Sequence, residues 1–207
     1  MSILTSLLVL ILSYLIGSIM SGDLVARFKK IDLRSQGSGN VGATNVFRTM
    51  GTLYGVIVLV ADVLKGVIAV LLGVWVDNHY GFNSNLPILA GILAIVGHNW
   101  PIYAKFKGGK GIATSLGVLI ALSPTSLLIA FPVWLLALLL SGYVSVGSIL
   151  SAIAYPISVF IFYPHQIYLQ LFALLAGILA VYRHRINIQR LLRGEEKRIL
   201  YNKQKEQ

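Results

Sequence analysis

Two glycine-rich polar stretches and one histidine–asparagine pair carry most of the groups in this chain that are able to do chemistry. The first stretch, Gly37 to Arg48 (GSGNVGATNVFR), spaces Gly37, Gly39 and Gly42 among Ser38, Asn40, Thr44 and Asn45. Glycines let a backbone take left-handed conformations and turn its N–H groups inward on an anion. Arg48 adds a planar, permanently charged fork suited to phosphate oxygens. The stretch also matches G-x-G-x-x-G, and Asp62 stands about the right distance downstream for the acidic residue of a dinucleotide fold. That match is accidental, because the approach, IDLRSQ, is no apolar strand and Asp62 is embedded in an apolar segment where it would not meet a ribose. A flexible linker is the plainer alternative, but a linker has no need of spaced glycines together with Arg, Asn, Ser and Thr.

The second stretch is Lys107-Gly108-Gly109-Lys110-Gly111, followed by Ile112-Ala113-Thr114. Its glycines admit a close approach of backbone, the following helix offers free N–H groups and a positive end, and Lys110 can reach back to an oxyanion. It is not a Walker A loop, which needs Ser or Thr directly after the Lys and a strand before it. Taken alone it reads equally well as a cationic membrane anchor; beside the first loop, on the same face, phosphate binding gains. The third cluster is Tyr182-Arg183-His184-Arg185-Ile186-Asn187, with Glu195 and Glu196 beyond it. His184 and Asn187 stand i and i+3, on one face if the helix continues, and both hydrogen-bond polar ligands. Without context, a basic helix attracted to anionic lipid is the simpler reading of this cluster.

Three further features are weaker. Ser145 and Ser148 in YVSVGS flank a turn, where small residues also serve close helix packing. Asp62 and Lys65, again i and i+3, read as an ion pair facing the inside of a bundle. His98 has no second His or carboxylate at ligand spacing, so it reads as a hydrogen-bonded or interfacial residue, and no metal site or cofactor is expected.

The elements that must position these groups are hydrophobic. The chain has 207 residues, 57% hydrophobic and 12% charged, with no cysteine, and a mean hydropathy of +0.80. That is too little polar surface to clothe a soluble globule, so the expectation is an all-α, polytopic membrane bundle forming a single domain over 1–207, with a basic tail from 183 to 207. Seven apolar segments follow in order: Ile3 to Gly22, Thr52 to Val76, Leu86 to about Pro101, Ile112 to Ser123, Ser126 to Leu140, Val144 to Phe162 and Ile167 to Tyr182. The fourth is short for a full crossing and reads as a half-helix. The stretch before Ile3 carries no basic run and no A-x-A site follows, so the first segment reads as a retained helix. Of the 17 Lys and Arg, five fall between Asp23 and Gly51, three between Tyr103 and Gly111 and eight in the tail, with Lys65 the remaining one. The positive-inside rule then sets the N-terminus outside and every basic loop and the C-terminus in the cytoplasm. Such placement accounts for the net charge of +10 without nucleic acid.

In that order and across nearly the whole chain, GSGNVGATNVFR, GHNWPIYAKFKGGKGIATSLG, YVSVGS and YRHRINIQRLLRGEEKRI resemble the bacterial acyl-phosphate:glycerol-3-phosphate acyltransferase family, PlsY. The resemblance implies an enzyme of the bacterial cytoplasmic (inner) membrane, with its active site at the cytoplasmic face. Such an enzyme moves a fatty acyl group from acyl phosphate to the sn-1 hydroxyl of glycerol 3-phosphate, giving lysophosphatidic acid and phosphate, the first step of phospholipid synthesis. Its partners would be these two substrates, membrane lipid and an enzyme that produces acyl phosphate. The family's polar positions fall on Ser38 and Arg48, on Lys110 with its glycines, and on His184, Asn187 and Glu196. The family usually reads Gly-Thr-Glu where this chain reads Gly194-Glu195-Glu196, which leaves the choice of glutamate open. No His has an Asp five positions on, so the H-x-x-x-x-D pair of acyl-CoA-using glycerolipid acyltransferases is absent. His184 is the obvious side-chain base, yet Arg183 and Arg185 favour its neutral form, and an acyl-phosphate oxygen is the competing proton acceptor. A small membrane transporter of an organic phosphate is the alternative, although transporters favour repeats and polar midplane helices that this chain lacks.

Overall fold

The computed structural model describes residues 3–80 and 85–200, and within them the chain is helical with no strand. Lys203 and Lys205 of the basic tail lie outside the described residues. The chain divides into two compact units, 1–124 and 125–207.

In the first unit α1 (Ile3–Gly17) and α2 (Ser21–Phe28) are bent by 42° at a short break. α3 (Ala43–Met50) leads through Gly51 into the long α4 (Thr52–Tyr80). α5 (Leu86–Asn99) and α6 (Ile112–Leu122) complete the unit, with a single 3-10 turn at Ile102–Ala104 between them. Backbones approach closely because the contact faces carry glycine: a methyl on Gly66 of α4 would overlap the Thr114 carbonyl of α6, and one on Gly117 would overlap the Val63 carbonyl. α1 and α5 meet in the same way, through Gly17 against Ala94 and Gly97 against Tyr14. Small residues are what let apolar helices gain dispersion contact where lipid removes the hydrophobic drive for association.

The second unit holds α7 (Leu127–Ser141), α8 (Val144–Phe162), α9 (Ile167–Arg183) and α10 (Arg185–Leu192). α8 packs on α7, where Ser151 Oγ donates to the Ala130 carbonyl at 2.9 Å, and on α9, where Gly177 faces the Ala152 carbonyl. α9 and α10 are bent by 51° at His184.

Among the described residues, four helical stretches are long and apolar enough to cross a membrane: Thr52–Tyr80, Leu86–Ala104, Pro124–Ser141 and Val144–Phe162. Counting each bent pair as one span brings the number to six, and the eleven-residue α6 is a seventh, shorter apolar helix. Their surfaces are dressed for lipid: Leu64, Ile68 and Leu71 on α4 and Leu128, Leu136 and Leu140 on α7 are exposed. Two expectations change. The stretch from Asp23 to Gly51 is not all loop, since it holds most of α2 and all of α3. Nor does the first helix continue to Gly22, because it breaks after Gly17.

Candidate functional site

The first glycine stretch is half loop and half helix. Gly37 and Gly39 take left-handed conformations at φ +61° and +75°, as the sequence suggests, whereas Gly42 is extended and caps α3. At the centre of the loop stands Asn45, only 1% exposed. Its Oδ1 accepts the Ser38 N–H at 2.8 Å, and its Nδ2 donates to the Leu33 and Gln36 carbonyls, each at 3.1 Å. Both amide hydrogens are spent on carbonyls, so Asn45 shapes the loop and has no donor left for a phosphate. A Cβ on Gly37 would run into this amide, which accounts for glycine there beyond its φ. Ser38, Asn40 and Thr44 are half-buried around the turn, and Arg48, also half-buried, rides on the last turn of α3.

The second stretch is moulded onto the end of α5. The Gly109 N–H donates to the His98 carbonyl at 3.1 Å, and a Cβ on Gly108 would overlap that same oxygen. Gly111 is left-handed at φ +80°, caps α6, and faces the Asn99 side chain. Lys110 therefore enters directly before the first turn of α6, half-buried, beside backbone N–H groups at the helix's positive end. The preceding Lys105 and Phe106 are also left-handed, at φ +52° and +60°.

Arg34 ties the two loops together, which its sequence position did not announce. Its Nη2 donates to Asp23 Oδ2 at 2.9 Å and to the Lys107 carbonyl at 3.0 Å. Below the loops the expected ion pair is present: Lys65 Nζ lies 2.9 Å from Asp62 Oδ1, both buried, with Ser21 Oγ also donating to that oxygen at 2.9 Å.

In the second unit the structure distinguishes the two glutamates. Glu196 Oε1 accepts from Ser145 Oγ at 2.8 Å and from Asn187 Nδ2 at 2.7 Å, drawing together residues from α8, α10 and the tail. Glu195 is exposed, and its backbone N–H goes to the Arg190 carbonyl. The tail is thus more than a basic lipid anchor. It turns at Gly194 (φ +71°) and returns to the α7–α8 turn, where the Ile199 N–H reaches the Gly142 carbonyl at 2.9 Å and the Arg198 guanidinium lies over the Tyr143 ring. His184 sits at the α9–α10 bend, 2% exposed, with Nδ1 2.8 Å from the Ala180 carbonyl. A carbonyl only accepts, so Nδ1 carries a proton in this contact. Ser148 is buried one turn along α8 from Ser145. No group of three or more His, Cys, Asp or Glu able to hold a metal occurs among the described residues.

A family model described as glycerol-3-phosphate acyltransferase matches residues 7–194. Among similar curated proteins, the glycerol-3-phosphate acyltransferase of Desulforamulus reducens is 47% identical over 94% of this chain and 96% of its own. That of Bacillus subtilis is 44% identical over 93% and 96%. Two crystal structures of PlsY, an integral membrane glycerol 3-phosphate acyltransferase, are also similar. The glycerol 3-phosphate form has a TM-score of 0.87 at 43% identity, and the lysophosphatidic acid form 0.84 at 42%; each comparison covers 93% of this chain and 94% of the other.

Proposed function

Since this chain belongs to the glycerol-3-phosphate acyltransferase family, we propose that the enzyme takes its acyl group from an acyl phosphate and delivers it to the sn-1 hydroxyl of glycerol 3-phosphate, forming lysophosphatidic acid. Membership sets the organic-phosphate transporter aside. The observation that carries the donor assignment is the pairing of two glycine-and-cation loops, tied by the Arg34 bond to the Lys107 carbonyl. Two phosphate-shaped loops suit a reaction in which both substrates bear phosphate. The absence of an H-x-x-x-x-D pair argues in the same direction.

In this reading the turn through Gly37, Gly39 and Gly42, with the Ser38, Asn40 and Thr44 side chains and Arg48, forms one anion site, and Lys107 to Gly111 with Lys110 form the other. His184 and Asn187 hold glycerol 3-phosphate, and Glu196 with Ser145 fixes the Asn187 amide; Ser148 lines the same face of α8. The sn-1 oxygen attacks the acyl carbon, the anhydride C–O bond breaks, and the bonding pair departs with phosphate. The hydroxyl proton passes to a non-bridging phosphate oxygen, so no side chain need act as base and no cofactor is called for. Catalysis then rests on positioning and on cations aimed at the leaving phosphate.

In this reading one activity spans the chain, and the Lys and Arg distribution supports loops and tail on the cytoplasmic side of a bacterial cytoplasmic membrane, with seven apolar segments and the N-terminus outside. The donor would come from an enzyme that makes acyl phosphates. The test is purified protein in detergent, given glycerol 3-phosphate with acyl phosphate or with acyl-CoA. Lysophosphatidic acid and phosphate should form with acyl phosphate alone; equal turnover of acyl-CoA would overturn the donor assignment.

A further inference from the structure

The reaction as derived leaves a buried polar cluster unused. Lys65, from the middle of α4, offers three N–H bonds and meets three acceptors: Asp62 Oδ1 at 2.9 Å, the Ile19 carbonyl at 2.9 Å and His98 Nδ1 at 2.7 Å. Paired with the Asp62 carboxylate, Lys65 is read as an ammonium, which only donates, and on that reading His98 Nδ1 accepts. Asp62 Oδ1 lies 3.9 Å from that nitrogen, too far to claim a proton on it. The ring is therefore neutral with its proton on Nε2, and this tautomer is dictated from beneath by α4. The other side of the ring meets the second glycine loop. His98 is 3% exposed, and a Cβ on Gly109 would overlap Nε2. The neighbouring main chain makes a second attachment, the Gly109 N–H to His98 carbonyl bond at 3.1 Å.

We propose that Asp62, Lys65 and His98 form a positioning device for the Lys107–Gly111 loop: the ion pair locks the imidazole in its Nε2–H form, and the locked ring sets the height and tilt of Gly109 and so the place of Lys110. The proposal rests on reading that loop as an anion site. The device explains three facts together: a charged pair kept inside an apolar unit, a histidine with no metal-ligating company, and a glycine at 109, where any side chain would strike the ring. Ionisable groups buried among membrane helices are expensive and mark function, and partners behind a binding group hold its geometry.

The first measurement is the ring nitrogen spectrum of protein labelled with 15N-histidine, the His98 signals being identified by their loss in His98→Gln. The wild-type ring should be neutral and protonated at Nε2; a proton on Nδ1, alone or with Nε2, overturns the proposal. This reading does not depend on acyl transfer, so it stands or falls separately from the donor assay. The second measurement is steady-state kinetics with acyl phosphate and glycerol 3-phosphate. His98→Ala should raise the KM for one phosphate substrate, the one seated on the loop, roughly tenfold or more, and leave that of the other within about twofold. His98→Gln, whose amide N–H reaches the Nε2 position, should recover most of that loss. A merely structural His98 would lower kcat through loss of folded enzyme with both KM values unchanged, and that pattern, or His98→Gln behaving like His98→Ala, refutes the assignment. Asp62→Asn combined with Lys65→Met, which removes the pair without leaving a lone charge, should release the tautomer and reproduce the same KM change; a retained Nε2–H ring with normal KM values would show that the pair does not set the loop.

Discussion

Glu196→Ala separates the two glutamates that the sequence leaves equivalent. Glu196 Oε1 receives two hydrogen bonds, from Ser145 Oγ at 2.8 Å and Asn187 Nδ2 at 2.7 Å. A hydrogen bond to a charged group contributes about 1.5 to 3 kcal/mol when buried, and Glu196 is only half-buried, so about 1 kcal/mol for each is the better figure. Losing the Asn187 bond removes about 1 kcal/mol that holds that amide in place, which converts to roughly a fivefold fall in kcat/KM for glycerol 3-phosphate. The tail should stay docked, because the Ile199 to Gly142 bond and the Arg198 contact with Tyr143 do not involve Glu196. Glu196→Gln keeps an acceptor without the charge and should cost roughly twofold, since neutral bonds are about half as strong. Glu195→Ala should stay within about twofold of wild type, since Glu195 is exposed and its hydrogen bond to the Arg190 carbonyl comes from a backbone N–H that alanine also has. The assay is phosphate release at varied glycerol 3-phosphate. Equal losses in Glu195→Ala and Glu196→Ala, or normal kinetics in Glu196→Ala, would refute the assignment of Asn187's position to Glu196.

Asn45→Asp places an oxygen against the Leu33 and Gln36 carbonyls, and should cost about 3 kcal/mol of stability together with activity; an unchanged melting temperature in detergent would contradict the loop-shaping role. Arg48→Ala and Lys110→Ala should each lower turnover by roughly a hundredfold or more with the fold intact, and Arg48→Lys should also be poor because an ammonium lacks the bidentate fork; near-normal rates in both alanine variants would make these cations mere topological anchors. His184→Gln should retain measurable turnover and chiefly raise the KM for glycerol 3-phosphate, whereas loss of kcat at saturating substrate would make His184 the base. Single cysteines placed at the exposed Ser35 and His165 of this cysteine-free chain should label from opposite faces of the membrane, and same-side labelling would sink the topology.

The membrane helices were legible because hydropathy over a long window is a sum, insensitive to any single residue. α8 falls on Val144–Phe162 as read, and α4, α5, α7 and α9 shift by a few residues at their ends. What escaped were two eight-residue helices. α2 carries Asp23 and Arg27 and α3 follows a run of glycines, so each looks like connecting polar chain, whereas the basic α10 reads as a helix from its sequence. α3 did leave a trace, with Gly42 before it and the left-handed Gly51 after it, the glycine punctuation that ends helices.

The proposed site residues divide along the same line. Groups of the kinds that bind phosphate are conspicuous by type, and Arg48, Lys110, His184 and Asn187 could be picked out one at a time. The groups that hold those in place act across distances in the chain that no local pattern reports. Asn45 reaches back to Leu33, Arg34 spans to Lys107, Lys65 meets His98, and Glu196 meets Ser145. The buried polar members of this set, Asn45, Lys65, His98 and Ser145, are side chains whose burial is tolerable only because their hydrogen bonds are made. That requirement makes them rigid, and rigidity is what a reaction run by positioning needs. In this chain the polar residues spent inside the apolar unit do for the loops what second-layer ligands do for a metal, which is why damage at Asn45 or His98 should be felt at phosphate that neither residue contacts.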